Sequence, residues 1–216
     1  MSAWIVVAKG GRHGDEVVAL SAPAAVGRRA RKVQLSRDRL YASAISLFLE
    51  SGFDATTVDQ IAERADVARA TVFNHFPQKM AFLEEWGARR RALVRACLQE
   101  HPQDLGTAAE ELAAYLTEFA LLNERARDET RALMEPALRL GDALRSPTMD
   151  VDLALVVKRG QSSGEFRVDV NADHVGQLLT AGYFTTVLRW ASQDPEPFPL
   201  NERLLESLDL ILRGLR

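Results

Sequence analysis

The chain has 216 residues, 47% hydrophobic and 26% charged, a balance that suits a globular protein with a real core and excludes a disordered one. No apolar run reaches the ~20 residues needed to cross a bilayer, and the single cysteine, Cys97, excludes an intrachain disulfide and fits a reducing cytoplasm. The net charge of −3 does not advertise a polyanionic partner, but residues 28–39 hold six basic side chains (Arg28, Arg29, Arg31, Lys32, Arg37, Arg39) against Asp38 alone, so a basic end and a more acidic remainder are expected.

In chain order, residues 1–34 read as a flexible extension ending in a basic arm, with Ile5-Val6-Val7 and Val17-Val18 as short extended runs. Segment 28–32 suits either an arm that follows a DNA minor groove or a solvated tail. A helix is expected from Ser36, as its cap, to Ser51, with Leu40, Ala44, Leu47 and Phe48 on one face and Gly52 as the stop.

The stretch from Thr56 to Lys79 has the punctuation of two short helices joined by a tight turn. Thr57 is a good N-cap, and Val58, Ile61, Ala62 and Ala65 behind it follow the spacing of a buried helical face. Asp66 tolerates the left-handed conformation of a turn, and Val67 plugs inward. A second helix over 70–76 turns Val72 and Phe76 toward the first and leaves Arg69, Thr71, Asn74 and His75 outward; Pro77 ends it. Thus residues 35–80 read as a three-helix DNA-binding domain.

That outward face is the form of a helix-turn-helix recognition helix. Arg69 can pair in bidentate fashion with guanine, Asn74 with adenine, and the Thr71 methyl can touch a thymine methyl. Thr57 and Lys79 stand at helix N-termini, which favour phosphate.

Here the sequence resembles the TetR family of transcriptional regulators. The resemblance rests on Phe48, Gly52, Phe53, Thr56-Thr57-Val58, Ile61-Ala62, Ala65-Asp66-Val67-Ala68, Thr71-Val72-Phe73-Asn74-His75-Phe76, Lys79 and Leu83, strongly over about a quarter of the chain. Asp66 stands where the family usually has Gly, Ala68 where a Ser often caps the recognition helix, and Phe73 where a Tyr often donates to phosphate. By resemblance, Thr57, Ala68, Arg69, Ala70, Thr71, Phe73, Asn74, His75 and Lys79 form the DNA-binding set.

Residues 81–216 read as an effector-binding and dimerisation domain. A long connecting helix (81–101) carries Phe82, Trp86, Leu93 and a buried Cys97 on one face, with Arg89, Arg90, Arg91 and Arg95 on the others; ~22 residues make ~33 Å of helix. Thr107 and Glu110 form a capping-box pattern ahead of Leu112, Tyr115, Leu116 and Phe119. A helix over 128–144 holds Pro136 as a kink, and the next starts at Ser146-Pro147 and ends near Gly160–Gly164. Asn171 or Asp173 caps a helix to Ala191 with two apolar stripes, which needs two partners. The last helix, 201–213, carries Leu204, Leu205, Leu208, Ile211 and Leu212.

The fold expected is therefore all-α: a helix-turn-helix domain followed by a helical ligand-binding domain. The resemblance implies a homodimeric repressor on double-stranded DNA with a palindromic operator, released by a small apolar or amphipathic effector. Its implied dimer surface is Leu178, Ala181, Phe184, Thr185, Leu188, Leu204, Leu205, Leu208, Ile211 and Leu212. Tyr115, Phe119, Leu122, Met134, Leu138 and Tyr183 are candidate pocket walls or ordinary core. A rival reading is a DNA-binding protein without an effector, acting architecturally or through a protein partner. No cofactor or metal is expected: the histidines are scattered, no phosphate-loop or CxxC motif occurs, Asp150 and Asp152 read as solvent-facing, and no nucleophile-and-base set marks an enzyme.

Overall fold

A computed structural model describes residues 27–100, 106–140 and 149–215. Among these residues the chain forms nine helices and no strand: α1 (Arg28–Ser51), α2 (Val58–Arg64), α3 (Arg69–His75), α4 (Met80–Glu100), α5 (Ala108–Arg125), α6 (Arg127–Leu140), α7 (Met149–Ser162), α8 (Ala172–Ala191) and α9 (Leu200–Leu215). The short runs expected before residue 27, and the Ser146-Pro147 helix start, lie outside the described residues.

The N-terminal unit closes around rings contributed by three elements. Phe48 of α1 lies 4.9 Å from Phe53, and Phe76 stacks on Phe82 of α4 at 3.9 Å. Leu40, Ala44, Ile61 and Val72 are fully buried beside them. Gly52 ends α1 with a φ of 85°, a backbone that favours glycine, while its N–H closes on the Phe48 carbonyl at 2.9 Å.

Two expectations about α1 and α4 need correction. Helix α1 starts eight residues before Ser36, so the basic arm is helical from Arg28 rather than flexible. In α4 the buried stripe is Phe82, Trp86, Arg90 and Val94, each four apart. Leu93 and Cys97 are exposed instead: a stripe at spacings of four drifts around the helix by ~40° per step, so the side covered near Val94 is no longer the one that covers Phe82 and that Leu93 and Cys97 extend. Arg90 therefore occupies a core position that its charge disguised.

The second unit is built on α5, α7, α8 and α9. Thr107 and Glu110 cap α5 reciprocally as expected, and the Asn171 side chain accepts from the amides of Asp173 and His174 to start α8. Helices α7 and α8 approach closely at Gly176, where an added Cβ would collide with the Asp150 carbonyl oxygen. Helix α9 lies against α5 and α8, and α6 reaches back to α1, with Arg139 paired to Asp54 at 2.7 Å. Asp152, expected in solvent, is half-buried, held by both Nε and Nη2 of Arg95 and by the Tyr115 hydroxyl at 2.9 Å.

Candidate nucleic-acid interface

Thr57 caps α2 in a full capping box: its Oγ1 accepts from the Gln60 amide at 3.2 Å, and Gln60 Oε1 accepts from the Thr57 amide at 2.8 Å. At the turn, Asp66 is the one non-glycine residue with positive φ among the described residues, at 53°. Aspartate visits this region at modest cost, so the turn forms without the usual Gly. The Val67 amide closes it on the Ala62 carbonyl at 3.0 Å. Ala68 precedes α3 with no side-chain cap.

Helix α3 begins one residue earlier than expected and hands Phe76 to its C-terminal boundary. Val72 and Phe76 are buried, Thr71 and His75 half-buried, and Arg69, Ala70, Phe73 and Asn74 exposed. The outer face is thus narrower than the sequence reading, because Thr71 and His75 flank the buried stripe. Arg69 is 61% exposed at its side chain; its Nη1 meets both carboxylate oxygens of Asp59 at 2.8 Å, and its guanidinium lies 5.5 Å from the Phe73 ring centre.

Several basic groups face inward. Arg37 Nη1 donates to the His75 carbonyl at 2.6 Å, its guanidinium lies over the Phe76 ring at 4.3 Å, and its Nη2 pairs with Glu85 at 2.9 Å. Arg39 donates to the Ala65 carbonyl at 3.0 Å. These two arginines of α1 hold the last turn of α3 and the last turn of α2, a role that the count of basic residues concealed. Burial pushes the Glu85 carboxyl up, but Arg37 and Arg89 outweigh it and hold the group below its ordinary range.

Lys79 also departs from expectation. Its ammonium donates to the carbonyls of Phe53 at 2.7 Å, Thr56 at 3.0 Å and Asp54 at 3.2 Å, and lies 4.4 Å from the Phe53 ring centre. All three N–H donors are engaged in tying α4 to the α1–α2 loop. Burial lowers its pKa from the ordinary lysine value, with Asp54 acting in the opposite sense. Lys79 is a clamp in this structure rather than an open phosphate contact.

In the second unit, Tyr115, Phe119, Met134 and Tyr183 are buried, and Leu122 and Leu138 partly so. Tyr115, Phe119, Tyr183 and Phe184 make a continuous run of rings with centres 5.2 to 5.3 Å apart. Beside it sits a polar centre not foreseen from sequence. Arg90, 6% exposed, donates to Asn123 Oδ1 at 2.7 Å, and Asn123 Nδ2 donates to the Tyr183 hydroxyl at 2.9 Å. Thr130 donates to Asn123 Oδ1 at 3.1 Å, and Glu129 lies 3.8 Å from Arg90. Burial lowers the Arg90 pKa and raises that of Tyr183. A separate cleft of about 480 Å³, lined by Glu124, Trp190, Glu196, Pro197, Phe198, Pro199 and Leu200, contains none of the six candidate wall residues.

The dimer residues divide. On α8, Leu178 is 48% exposed, Ala181 and Thr185 are exposed, and Phe184 and Leu188 are half-buried; on α9, Leu205 and Ile211 are half-buried. Leu204, Leu208 and Leu212 are instead core, with Leu208 only 2% exposed. They repeat every four residues and fill the stripe that α9 lays on its own chain, so they are not available to a partner.

Residues 40–86 match the family model for bacterial regulatory proteins of the tetR family. Over these residues the chain is similar to TetR-family regulators. Its TetR-type segment is 46% identical over 59 residues to the HTH-type transcriptional regulator TcmR of Streptomyces glaucescens, and 38% identical over 80 residues to YdeS of Bacillus subtilis. These matches span 26% and 40% of those relatives' lengths. The whole TetR-type fold aligns with FadR of Thermus thermophilus, a TetR-family repressor solved with lauroyl-CoA, at 29% identity and a TM-score of 0.69, over 83% of this chain and 95% of that one. FadR of Bacillus subtilis, solved with stearoyl-CoA, shares the fold at 20% identity and a TM-score of 0.58, over 83% of this chain and 99% of the other.

Proposed function

We propose that this chain is a homodimeric transcriptional repressor that inserts α3 into the DNA major groove and is released by a small apolar or amphipathic effector. The observation that carries the DNA-binding part is the division of α3: Val72 is fully buried while Arg69, Phe73 and Asn74 stand exposed. An α-helix is ~10–12 Å across with its side chains, which fits a major groove ~12 Å wide. Arg37 and Arg39 brace the surrounding backbone, so the reading residues are presented on a fixed frame. Arg69 and Asn74 read base edges, and the Thr57 end of α2 faces phosphate.

The outward side of α8, with Leu178 exposed and Phe184 and Leu188 half-buried, supports pairing with a second copy. A two-fold dimer then reads a palindromic site, its half-sites one helical turn apart. The amphipathic ligand of the Thermus FadR makes long-chain acyl thioesters the first effectors to try. The aromatic run from Tyr115 to Phe184 supplies the apolar surroundings for such a chain. A ligand releases the operator only through its different affinity for the two conformations, typically ~1–3 kcal/mol of coupling.

The test is fluorescence anisotropy on duplexes selected from a random pool, with and without lauroyl-CoA. The reading expects sequence-selective binding that the effector weakens by roughly 5- to 150-fold. Sequence-indifferent binding overturns the repressor reading. Selective binding that no acyl thioester or other amphipathic ligand alters favours the effector-free alternative.

A further inference from the structure

The cleft of about 480 Å³ between α5, α8 and the loop that leads into α9 has no part in the DNA-binding reading, and none of the candidate effector residues lines it. Its size falls in the range of small-molecule sites, ~300–1,000 Å³, which are mostly apolar with a few placed polar groups. Two of its walls belong to the core: Trp190 is 2% exposed and Leu200 is fully buried. Phe198 adds a second ring, and the prolines on either side of it restrict the backbone there. Among the described residues, the charged side chains that line the cleft are two carboxylates, Glu124 and Glu196.

The loop wall is tied down from outside. Arg127 Nη2 donates to the Gln193 carbonyl at 2.7 Å, and its Nε lies 3.1 Å from Glu196 Oε1. Arg131 pairs with Asp194 at 3.4 Å. From α9, Arg203 rests over the Phe198 ring at 4.8 Å and pairs with Glu206 at 3.1 Å. These arginines therefore have carboxylates of their own. Glu124 does not: it is exposed, and no ion pair or hydrogen bond among the described residues engages it.

An apolar cleft with an indole, a phenyl ring and an unpaired carboxylate disfavours anions and suits a cation. Aromatic faces attract positive charge, Trp most strongly, and the carboxylate supplies the counter-charge. We propose that this cleft binds a small organic cation, an ammonium whose apolar body packs against Trp190, Phe198 and Leu200 and whose charge is met by Glu124, with Glu196 in support. It is a second ligand site, opposite in charge preference to the CoA thioesters suggested above, and it stands independently of the DNA-binding reading.

The experiment is calorimetric titration of the full chain with benzyltrimethylammonium and, separately, with phenylacetate, its anionic counterpart. The cation should bind saturably at one site per chain and phenylacetate should not bind. Glu124→Gln should weaken the cation roughly two- to fivefold, the scale of a partly exposed ion pair. Glu124→Gln/Glu196→Gln should weaken it roughly tenfold. The melting temperature of free Glu124→Gln should match the parent, because that side chain is exposed and unpaired, so the single variant decides the matter even if Glu196→Gln loosens the loop. No saturable binding by the parent overturns the proposal. Phenylacetate binding as tightly as the cation, or an unchanged cation affinity in Glu124→Gln, overturns it too.

Discussion

Arg69 Nη1 meets both carboxylate oxygens of Asp59, at 2.8 Å each, across the surface between α2 and α3. Both partners are more than half exposed, so the pair contributes little to stability and opens readily. On the proposed reading, Asp59 holds the Arg69 guanidinium at the surface between α2 and α3 until a base edge offers a better acceptor. Arg69→Ala should cost ~1–3 kcal/mol on the preferred duplex and relax selectivity at one base pair of each half-site. Asp59→Asn removes the competing carboxylate and should strengthen binding by ~0.2–1 kcal/mol. Titration of both variants against selected and scrambled duplexes checks this; equal losses on the two duplexes for Arg69→Ala would make Arg69 a phosphate contact or a bystander.

Lys79 should behave as a structural residue. Lys79→Met leaves the carbonyls of Phe53, Asp54 and Thr56 without their shared donor. Losing such partners costs about 1–3 kcal/mol, so the melting temperature should fall by several degrees. Calorimetry of the free protein reads this directly. An unchanged melting temperature with weakened DNA binding would return Lys79 to the phosphate.

Two leucine-bearing helices give opposite expectations. Leu208→Glu places a carboxylate in the chain's own core and should yield unfolded or insoluble protein, since burying an unpaired charge costs several kcal/mol. Leu178→Glu on the exposed face of α8 should leave the fold intact and give monomers. Circular dichroism with sedimentation velocity separates the cases. A soluble dimer for Leu178→Glu would remove this part of α8 from the interface.

The Arg90 centre joins α4 to α5, α6 and α8 through Asn123, Thr130, Glu129 and Tyr183. Asn123→Ala strips the buried guanidinium of its shortest bond and should cost ~1.5–3 kcal/mol in urea unfolding. Tyr183→Phe removes only a neutral acceptor at the far side and should cost ~0.5–1.5 kcal/mol. The reverse ranking would show that the network is organised around Tyr183 rather than Arg90.

The DNA-binding unit was legible because its signals are local. The Thr57 cap, the left-handed Asp66 and the buried spacing of Val72 and Phe76 depend on neighbours within a few residues, and each stands as expected. The inward arginines were not legible: Arg37 reaches a carbonyl 38 positions away, and nothing in a basic run distinguishes a brace from a phosphate contact. Arg90 had a readable signal, since Phe82, Trp86 and Val94 set a spacing of four that includes position 90. On α9 the broad leucine arc serves the chain's own core through Leu204, Leu208 and Leu212, leaving only Leu205 and Ile211 at its margins. Periodicity finds the apolar side of a helix; it does not say whose surface covers it. The start of α1 was missed because Ser36 has the look of a cap, whereas the helix runs on to Arg28.

The central claim is that α3 reads base sequence as part of a two-fold dimer. The most direct measurement is selection of bound duplexes from a random pool, followed by sequencing. The account predicts enrichment of an inverted repeat whose half-site centres lie ~10 base pairs apart, or a multiple of that spacing, with one base pair per half-site losing its preference when the selection is repeated with Arg69→Ala. Recovery of a pool with no enriched motif, at salt concentrations where the protein still binds DNA, would contradict it.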